Sequence, residues 1–259
     1  MRRLRNISLS LLATVAFTSL IEAAEIAPGE RRSGASFMSV ETQAMQNDAT
    51  ANPGMLGVLD GEALWTRKPV AGRACADCHG DASSMRGVAV RYPAFDDKLN
   101  RPVDLEQRVN LCRVDHQQLP PLADESRDLL ALTALIGRQS QGMPIETGAD
   151  SRLQAFIDKG RDAFMRRQGQ LNLACTNCHD DNWDKRLAGS AITQAHPTGY
   201  PVYRLEWQGL GSLKRRLRNC MIGVRAQPYS ADAPEMVELE LYLMSRARGM
   251  ASETPAVRP

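Results

Sequence analysis

Apolar residues recur at helical spacing in two long segments, one near the end of each half of the chain. The segments are residues 126–138 and 235–246. Their apolar positions are Leu129, Leu132 and Ile136 in the first segment and Val237, Leu241 and Met244 in the second. Acidic residues near the starts and arginines near the ends suit the helix dipole. The pattern therefore predicts two amphipathic helices that each bury one face.

A second helical segment precedes each amphipathic helix and ends in a cysteine. These segments are residues 105–112, which end at Cys112, and residues 213–220, which end at Cys220. Gly-Met pairs follow both amphipathic helices at matching places, at residues 142–143 and 249–250. Matching features in the same order indicate an internal repeat of one structural unit.

The repeat divides the mature chain into two domains. Turn-forming residues at 147–150 predict the boundary, and residues 151–165 predict the first helix of the second half. We expect domains over residues 61–148 and 149–259. No apolar alternation of strand period is apparent, so the sequence predicts an all-α fold with two domains in tandem.

The first sixty residues lie outside the repeat. A basic start, an apolar run over 7–20 and small residues at Ala23 and Ala24 predict a signal peptide over residues 1–24. The apolar run is short for a membrane span, although an uncleaved anchor is the alternative. We therefore expect a periplasmic protein without a membrane span in its mature form. Residues 25–60 predict a mostly irregular arm, and residues 61–65 predict a short helix that continues to the first cysteine motif.

Four of the six cysteines lie in two copies of the motif Cys-x-x-Cys-His. The copies are Cys75, Cys78 and His79, and Cys175, Cys178 and His179. The thiols of such a motif add to the vinyl groups of a haem, and the adjacent histidine ligates the iron. Zinc is the alternative, but neither motif has a second ligand pair at suitable spacing. The sequence predicts two covalently bound c-type haems.

Composition adds little to this interpretation. The formal net charge is +2, which gives no overall attraction to nucleic acid or to an anionic membrane. Aromatic residues make up 5% of the chain, and a haem protein tolerates this scarcity because the porphyrin supplies a flat apolar surface.

Each half resembles a class I cytochrome c domain, in which the second iron ligand comes from a segment before the C-terminal helix. Cys112 and Cys220 occupy that position, so we predict that they are the second ligands of the two irons. A disulfide between them is one alternative. Met221 at the second iron and His116 at the first are others.

Three further residues that could bind iron have simpler interpretations. Met143 and Met250 follow the C-terminal helices, where they are expected to be packing residues. His196 lies in a segment rich in proline and glycine and is expected to belong to a turn near the haem edge.

The two cysteine-ended helices differ in charge. Arg108 and Arg216 are equivalent, each one helical turn before its cysteine. The first helix otherwise has Asp104 and Glu106, whereas the second has Lys214, Arg215 and Arg218, and Arg225 follows. Such a basic field is expected to lower the pKa of Cys220 and to attract a small anion. A solvated basic face, or a docking patch for a redox partner, is the alternative.

These residues resemble the SoxA family of dihaem cytochromes from bacterial thiosulfate oxidation. The resemblance covers nearly the whole mature chain and includes residues 41–46, 52–56 and 199–204, and most specifically residues 215–220. It implies that Cys220 is the enzymatic cysteine, which can carry a persulfide, and that Arg216 binds substrate. It also implies that Cys112 is the distal ligand of the first haem.

The resemblance implies an L-cysteine S-thiosulfotransferase. Thiosulfate would be conjugated oxidatively to a cysteine of a SoxYZ-like sulfur carrier. Two electrons would pass to a SoxX-like monohaem cytochrome that forms a heterodimer with this chain. A dihaem electron carrier without transferase activity is the alternative, with the basic helix as its docking face. A dihaem peroxidase is less consistent with the sequence, because it needs an open iron position and distal acid–base groups.

Overall fold

The computed structural model describes residues 26–70 and 72–259. The predicted signal peptide lies outside these ranges. The helices are α1 Val40–Asn47, α2 Gly54–Thr66, α3 Cys75–His79, α4 Leu105–Cys112, α5 Arg127–Arg138, α6 Gln154–Met165, α7 Cys175–His179, α8 Leu213–Gly223 and α9 Pro234–Arg246. Within the described ranges, no helix has the length and apolarity needed to cross a membrane.

Each half of the chain is built around a crossing of two helices. Helix α2 packs on α5 in the first half, and α6 packs on α9 in the second. Glycines allow both crossings, because a Cβ at Gly61 would lie 2.4 Å from the carbonyl oxygen of Ala131. At Gly160 it would lie 2.0 Å from the carbonyl oxygen of Glu238. The predicted repeat therefore produces two helix pairs that approach at backbone distance.

Helices α5 and α9 contribute to two separate cores. On α5 these are residues of the predicted apolar face, Leu132 and Ile136, whereas α9 contributes a different face to its core, and the predicted residues Val237 and Leu241 are buried outside it. The first core contains Val58, Trp65, Leu132, Ala134, Leu135 and Ile136, and the second contains Ala163, Phe164, Met221, Leu239, Tyr242 and Leu243. Full burial of each large apolar side chain stabilises the fold by about 1.5–3 kcal/mol. The amphipathic helices predicted from the sequence are confirmed, with their first residues at Arg127 and Pro234.

The Gly-Met segments that follow α5 and α9 pair with each other. The Ile145 amide donates to the Met250 carbonyl at 2.9 Å, and the Ser252 amide donates to the Met143 carbonyl at 2.9 Å. Met143 and Met250 pack against a small core of Val90, Ile145 and Ala247. Their packing role is confirmed, and these equivalent segments join the two halves.

Short strands correct the expectation that the chain has none. They are β1 Ala94–Asp96, β2 Arg101–Val103, β3 Arg186–Leu187, β4 Ser190–Ala191, β5 Val202–Arg204, β6 Gly209–Gly211 and β7 Ala256–Arg258. Antiparallel hairpins β1–β2 and β5–β6 lead into α4 and α8, and β7 pairs in parallel with β5. Strands of two or three residues are too short to show an alternating pattern, so hydrophobicity could not reveal them.

The arm is more regular than expected. It contains α1, and the helix predicted from residue 61 begins at Gly54 and ends at Thr66, before the separate helix α3. The Asn52 side chain accepts from the Gly54 amide at 2.8 Å, so the turn at residues 52–54 forms the start of α2. The same side chain donates to the Pro255 carbonyl at 2.9 Å. The arm is therefore anchored to the C-terminal segment.

His196 also holds the arm. Its Nδ1 lies 3.0 Å from the Arg32 carbonyl oxygen, and the neighbouring Gln194 side chain accepts from the Arg32 amide at 2.6 Å. Burial lowers the pKa of His196 to about 4, so the imidazole is neutral near pH 7. His196 fastens the arm to the second half of the chain.

Candidate functional site

The second site consists of Cys175, Cys178 and His179 from α7 and Cys220 from α8. The Asn177 side chain accepts from the Ala174 amide at 3.0 Å and fixes the start of α7. The His179 imidazole faces the Cys220 thiol, and Cys220 also acts electrostatically on Cys175 and Cys178. The structure thus brings together all four residues that the sequence assigned to the second haem.

These residues fit a c-type haem. His179 Nδ1 donates to the Thr193 carbonyl oxygen at 2.6 Å, which fixes the imidazole and leaves Nε2 for the iron. Cys175 is a free thiol packed beside the core that contains Phe164. Two thiols for the vinyl groups and a histidine facing a cysteine form the donor set of a haem with thioether links and nitrogen and sulfur ligands.

The first site consists of Cys75, Cys78 and His79 from α3 and Cys112 from α4. Cys112 acts electrostatically on Cys75 and Cys78, so the structure brings these three thiols together. A cleft of about 510 Å³ lies beside Cys112 and is lined also by Arg108, Leu111 and His116. His79 is exposed, and its ring lies 5.7 Å from that of Trp65. The part of the chain that the structure describes shows no contact between His79 and Cys112.

The alternatives to Cys112 and Cys220 as predicted iron ligands differ in their structural support. All six cysteines are free thiols, and Cys112 and Cys220 lie in separate sites, so no disulfide joins them. Met221 is 3% exposed and packs in the second core. His116 is exposed and lines the cleft beside Cys112.

Cys112 and Cys220, the two predicted iron ligands, have opposite pKa shifts. Burial would raise the pKa of Cys220, but His179, Arg216 and Arg204 together lower it below its usual value. Burial raises the pKa of Cys112, and Asp115 opposes the effect of Arg108 there. The Cys220 sulfur is therefore the more readily ionised of the two.

The equivalent arginines have different partners. Arg108 Nη2 lies 2.5 Å from Asp96 Oδ2, and Arg108 Nε donates to the Tyr92 hydroxyl at 3.2 Å. The Arg216 guanidinium has no hydrogen bond or salt bridge to any residue in the described ranges. Of these two arginines, Arg216 is therefore the one available to a small anion.

Lys214 does not contribute to a basic field at Cys220, contrary to the sequence expectation. Its Nζ lies 2.6 Å from Asp104 Oδ2 and 3.5 Å from Glu106 Oε2, and its side chain is 4% exposed. Asp104 and Glu106 are therefore paired with Lys214 and not with Arg108. The starts of α4 and α8 meet at these salt bridges, and Lys214 and Glu106 are equivalent positions of the repeat.

The Lys214 cluster carries more carboxyl groups than cations. Glu106, Asp104 and Glu240 all act on the Lys214 ammonium. Burial raises the pKa of Glu106 to about 8, and Asp104 adds to this effect while Lys214 opposes it. Burial also raises the pKa of Glu240, again with a contribution from Asp104. At least one carboxyl of this interdomain cluster is therefore protonated near pH 7.

The Glu106 carboxyl is expected to make stability fall as pH rises. Its pKa of about 8 in the folded protein exceeds the ordinary value of 4.5, so the folded state binds the extra proton between these values. Glu106→Gln should remove this dependence, which reaches at most about 1.4 kcal/mol per pH unit. Urea unfolding of the wild type, the variant and the exposed control Glu62→Gln between pH 5 and pH 8 measures it. If the difference in unfolding free energy between the wild type and Glu106→Gln did not vary with pH, this pKa would be contradicted.

Arg204 belongs to this site, although no sequence pattern had indicated a role for it. It lies at the end of β5, its side chain is 12% exposed, and its charge lowers the pKa of Cys220. The repeat could have identified Arg204, because Arg204 precedes Cys220 by the same number of residues as Asp96 precedes Cys112. Hydrophobic pattern and motif spacing do not reveal such an equivalence without the hairpins.

Comparison with known proteins supports one family. The model of the SoxA/TsdA cytochrome c domain matches residues 60–145 and 159–252. The L-cysteine S-thiosulfotransferase subunit SoxA of Pseudaminobacter salicylatoxidans is 38% identical, over 88% of this chain and 81% of its own length. That of Rhodovulum sulfidophilum is 36% identical, over 88% and 80%.

A solved structure agrees with these relatives. The crystal structure of SoxXA from P. pantotrophus superposes with a TM-score of 0.85 at 30% sequence identity. The match covers 88% of this chain and 87% of that chain. The chain therefore belongs to the SoxA/TsdA cytochrome c family and, within it, to the SoxA subunits of L-cysteine S-thiosulfotransferase.

Proposed function

We propose that this chain binds two c-type haems and catalyses the oxidative conjugation of thiosulfate to a cysteine of a SoxYZ-like carrier. Cys220 is the catalytic residue and Arg216 binds the substrate. The observation that carries the proposal is the difference between the two equivalent arginines. Arg108 is paired with Asp96 at the first site, whereas Arg216 lies beside the more ionisable thiol without a partner among the described residues.

The chemistry requires a sulfur nucleophile, an anion site and an electron acceptor. The sulfane sulfur of thiosulfate and the carrier thiol form a disulfide bond, and two electrons and the thiol proton leave. The Cys220 thiolate and the sulfane sulfur first form an S–S bond as the two electrons leave. The carrier thiol then attacks this sulfane sulfur, which breaks its bond to Cys220, releases the Cys220 thiolate and the carrier's proton, and leaves the thiosulfonate on the carrier. Arg216 orients the sulfonate oxygens. A haem held by Cys175, Cys178, His179 and Cys220 would supply the electron acceptor at this site.

The first site has a different role in this proposal. Cys75, Cys78, His79 and Cys112 would hold a haem whose neighbouring arginine is already neutralised by Asp96. Because that arginine is paired, this site does not concentrate a dianion, so it stores electrons or stabilises the fold. Electrons leave through a SoxX-like monohaem partner, which forms a heterodimer with this chain in the periplasm.

Reconstitution tests the proposed activity. Purified protein, a SoxX-like cytochrome, a SoxYZ-like carrier and thiosulfate should reduce an acceptor cytochrome and add a thiosulfonate group to the carrier cysteine. Omission of the carrier should stop both events. Reduction that continues unchanged without the carrier, and with no modified carrier when it is present, would instead identify an electron carrier without transferase activity.

Two haems are expected per chain, because both attachment motifs lie on formed helices with free thiols. Intact mass spectrometry of the mature protein should show the mass of two haems, and Cys175→Ala with Cys178→Ala should reduce the count to one. Electron paramagnetic resonance should show low-spin signals of the thiolate type for both irons. A mature mass with a single haem, or a signal of the histidine–methionine type, would contradict the assignment of the corresponding site.

A further inference from the structure

The internal repeat relates the hairpins as well as the helices. The register pairs Asp96 with Arg101 in β1–β2 and Arg204 with Gly209 in β5–β6. The spacing from Asp96 to Cys112 equals that from Arg204 to Cys220. Asp96 and Arg204 are therefore the same position in the two domains. A carboxylate in one domain corresponds to a guanidinium in the other.

At the first site this position neutralises the arginine of the ligand helix. Asp96 lies 2.5 Å from Arg108, and the Tyr92 hydroxyl accepts from the same guanidinium at 3.2 Å. Tyr92 and Tyr200 are also equivalent, and both precede a cis proline. The first site thus contains a closed arrangement of tyrosine, carboxylate and arginine.

At the second site the same arrangement lacks its anion. The charges of Arg216, Cys220, Arg258 and Arg204 all act on the Tyr200 hydroxyl, and those of Arg216 and Arg204 also act on Cys220. The Arg204 Nη2 reaches only the exposed Glu206, at 2.9 Å, and its buried Nε has no hydrogen-bond partner among the described residues. A buried N–H without an acceptor is unfavourable, so this group favours an acceptor from outside the chain.

We propose that Arg204 is a second substrate-binding residue, which together with Arg216 holds the sulfonate oxygens of thiosulfate beside Cys220. The assignment rests on the proposed function and adds the residue that replaces the carboxylate of the first site. Two guanidinium groups match a dianion in charge, and each offers several N–H donors to its oxygens. The substrate takes the place that the Asp96 side chain occupies in the other domain.

Trp207 provides a matched control. The Arg204 guanidinium lies 5.1 Å from the Trp207 ring and that of Arg215 lies 4.1 Å from the same ring. Both arginines therefore lose a stacking contact when replaced. Of the two, Arg204 alone contributes charge to Cys220 and Tyr200. A loss of anion binding in Arg204 variants but not in an Arg215 variant isolates the substrate contact from the packing.

Equilibrium binding of thiosulfate to the purified haem-loaded protein, without carrier or partner, tests the assignment. Arg204→Gln should bind thiosulfate about tenfold to a hundredfold more weakly, as expected for the loss of a charge-assisted hydrogen bond. Arg204→Lys should be intermediate, and Arg215→Gln should stay within about threefold of wild type. In turnover, Arg204→Gln should raise KM more than it lowers kcat.

Arg204→Asp keeps the test informative if the neutral variant is unstable. It recreates the Asp96–Arg108 pair at the second site, so the variant should fold and unfold like the wild type while binding thiosulfate even more weakly than Arg204→Gln. Wild-type affinity for thiosulfate in Arg204→Gln or Arg204→Asp would overturn the role of Arg204 and leave the proposed function standing. A wild-type protein that does not bind thiosulfate at all would overturn the proposed function and this assignment with it.

Discussion

Replacing Cys220 by serine is expected to abolish thiosulfate-dependent electron release, whereas replacing Cys112 by serine should leave much of the turnover. The sulfur that receives the sulfane atom is lost in the first variant. It is retained in the second, where the neighbouring Arg108 is already paired with Asp96. Loss of a nucleophile that forms the covalent intermediate removes the catalysed route, so the residual rate should not exceed that without the protein.

The two cysteine variants control for each other. Cys112 and Cys220 lie on equivalent helices, and each is the predicted sulfur ligand of its iron. Each variant should therefore change one haem spectrum. Reduction of the acceptor cytochrome, with carrier and SoxX-like partner present, gives the rate. If Cys220→Ser retained the wild-type rate and Cys112→Ser lost it, the roles of the two sites would be the reverse of those proposed.

Replacing Lys214 by methionine is expected to destabilise the protein by about 3–5 kcal/mol, because it leaves buried carboxylates without their cation. Asp104 is 1% exposed, and the Lys214 ammonium is 2.6 Å from its carboxylate. Urea unfolding of the haem-loaded protein measures the effect.

Arg218→Met is the control for this prediction. Arg218 lies on the same helix but is exposed, and its side chain has no salt bridge to a residue in the described ranges. It should change stability by less than about 0.5 kcal/mol. Thiosulfate affinity should be nearly unchanged in Lys214→Met, since Lys214 is buried against the first domain. Equal stability of the two variants, or a large loss of affinity in Lys214→Met, would show that Lys214 belongs to the basic field after all.

The sequence was sufficient to predict features that depend on residues close together along the chain. Helices α5 and α9 follow from apolar spacing, and α4 and α8 follow from the matching cysteine-ended segments of the repeat; their bounds agree with the prediction to within a few residues. The cysteine motifs identify the haem-binding segments because the chemistry of attachment demands consecutive residues in one turn. The order of motifs within the repeat is also enough to show that Cys112 and Cys220 occupy equivalent positions.

The partners of the charged side chains could not be predicted in this way. Lys214 and Arg216 are two positions apart on one helix, yet the first is buried against Asp104 and the second faces the Cys220 site. Which side of α8 meets α4 depends on how the two domains pack. Likewise, the Asp96–Arg108 pair requires a hairpin too short to leave a sequence pattern.

The central claim is that thiosulfate sulfur is transferred at Cys220. Thiosulfate with an isotopic label in its sulfane sulfur can be incubated with the haem-loaded protein and carrier, and the peptides then mapped by mass spectrometry without reduction. The label is predicted on the peptide that contains Cys220 and on the carrier cysteine, and not on the peptide that contains Cys112. Label on the Cys112 peptide, or a modified carrier with no label ever found on Cys220, would contradict the account.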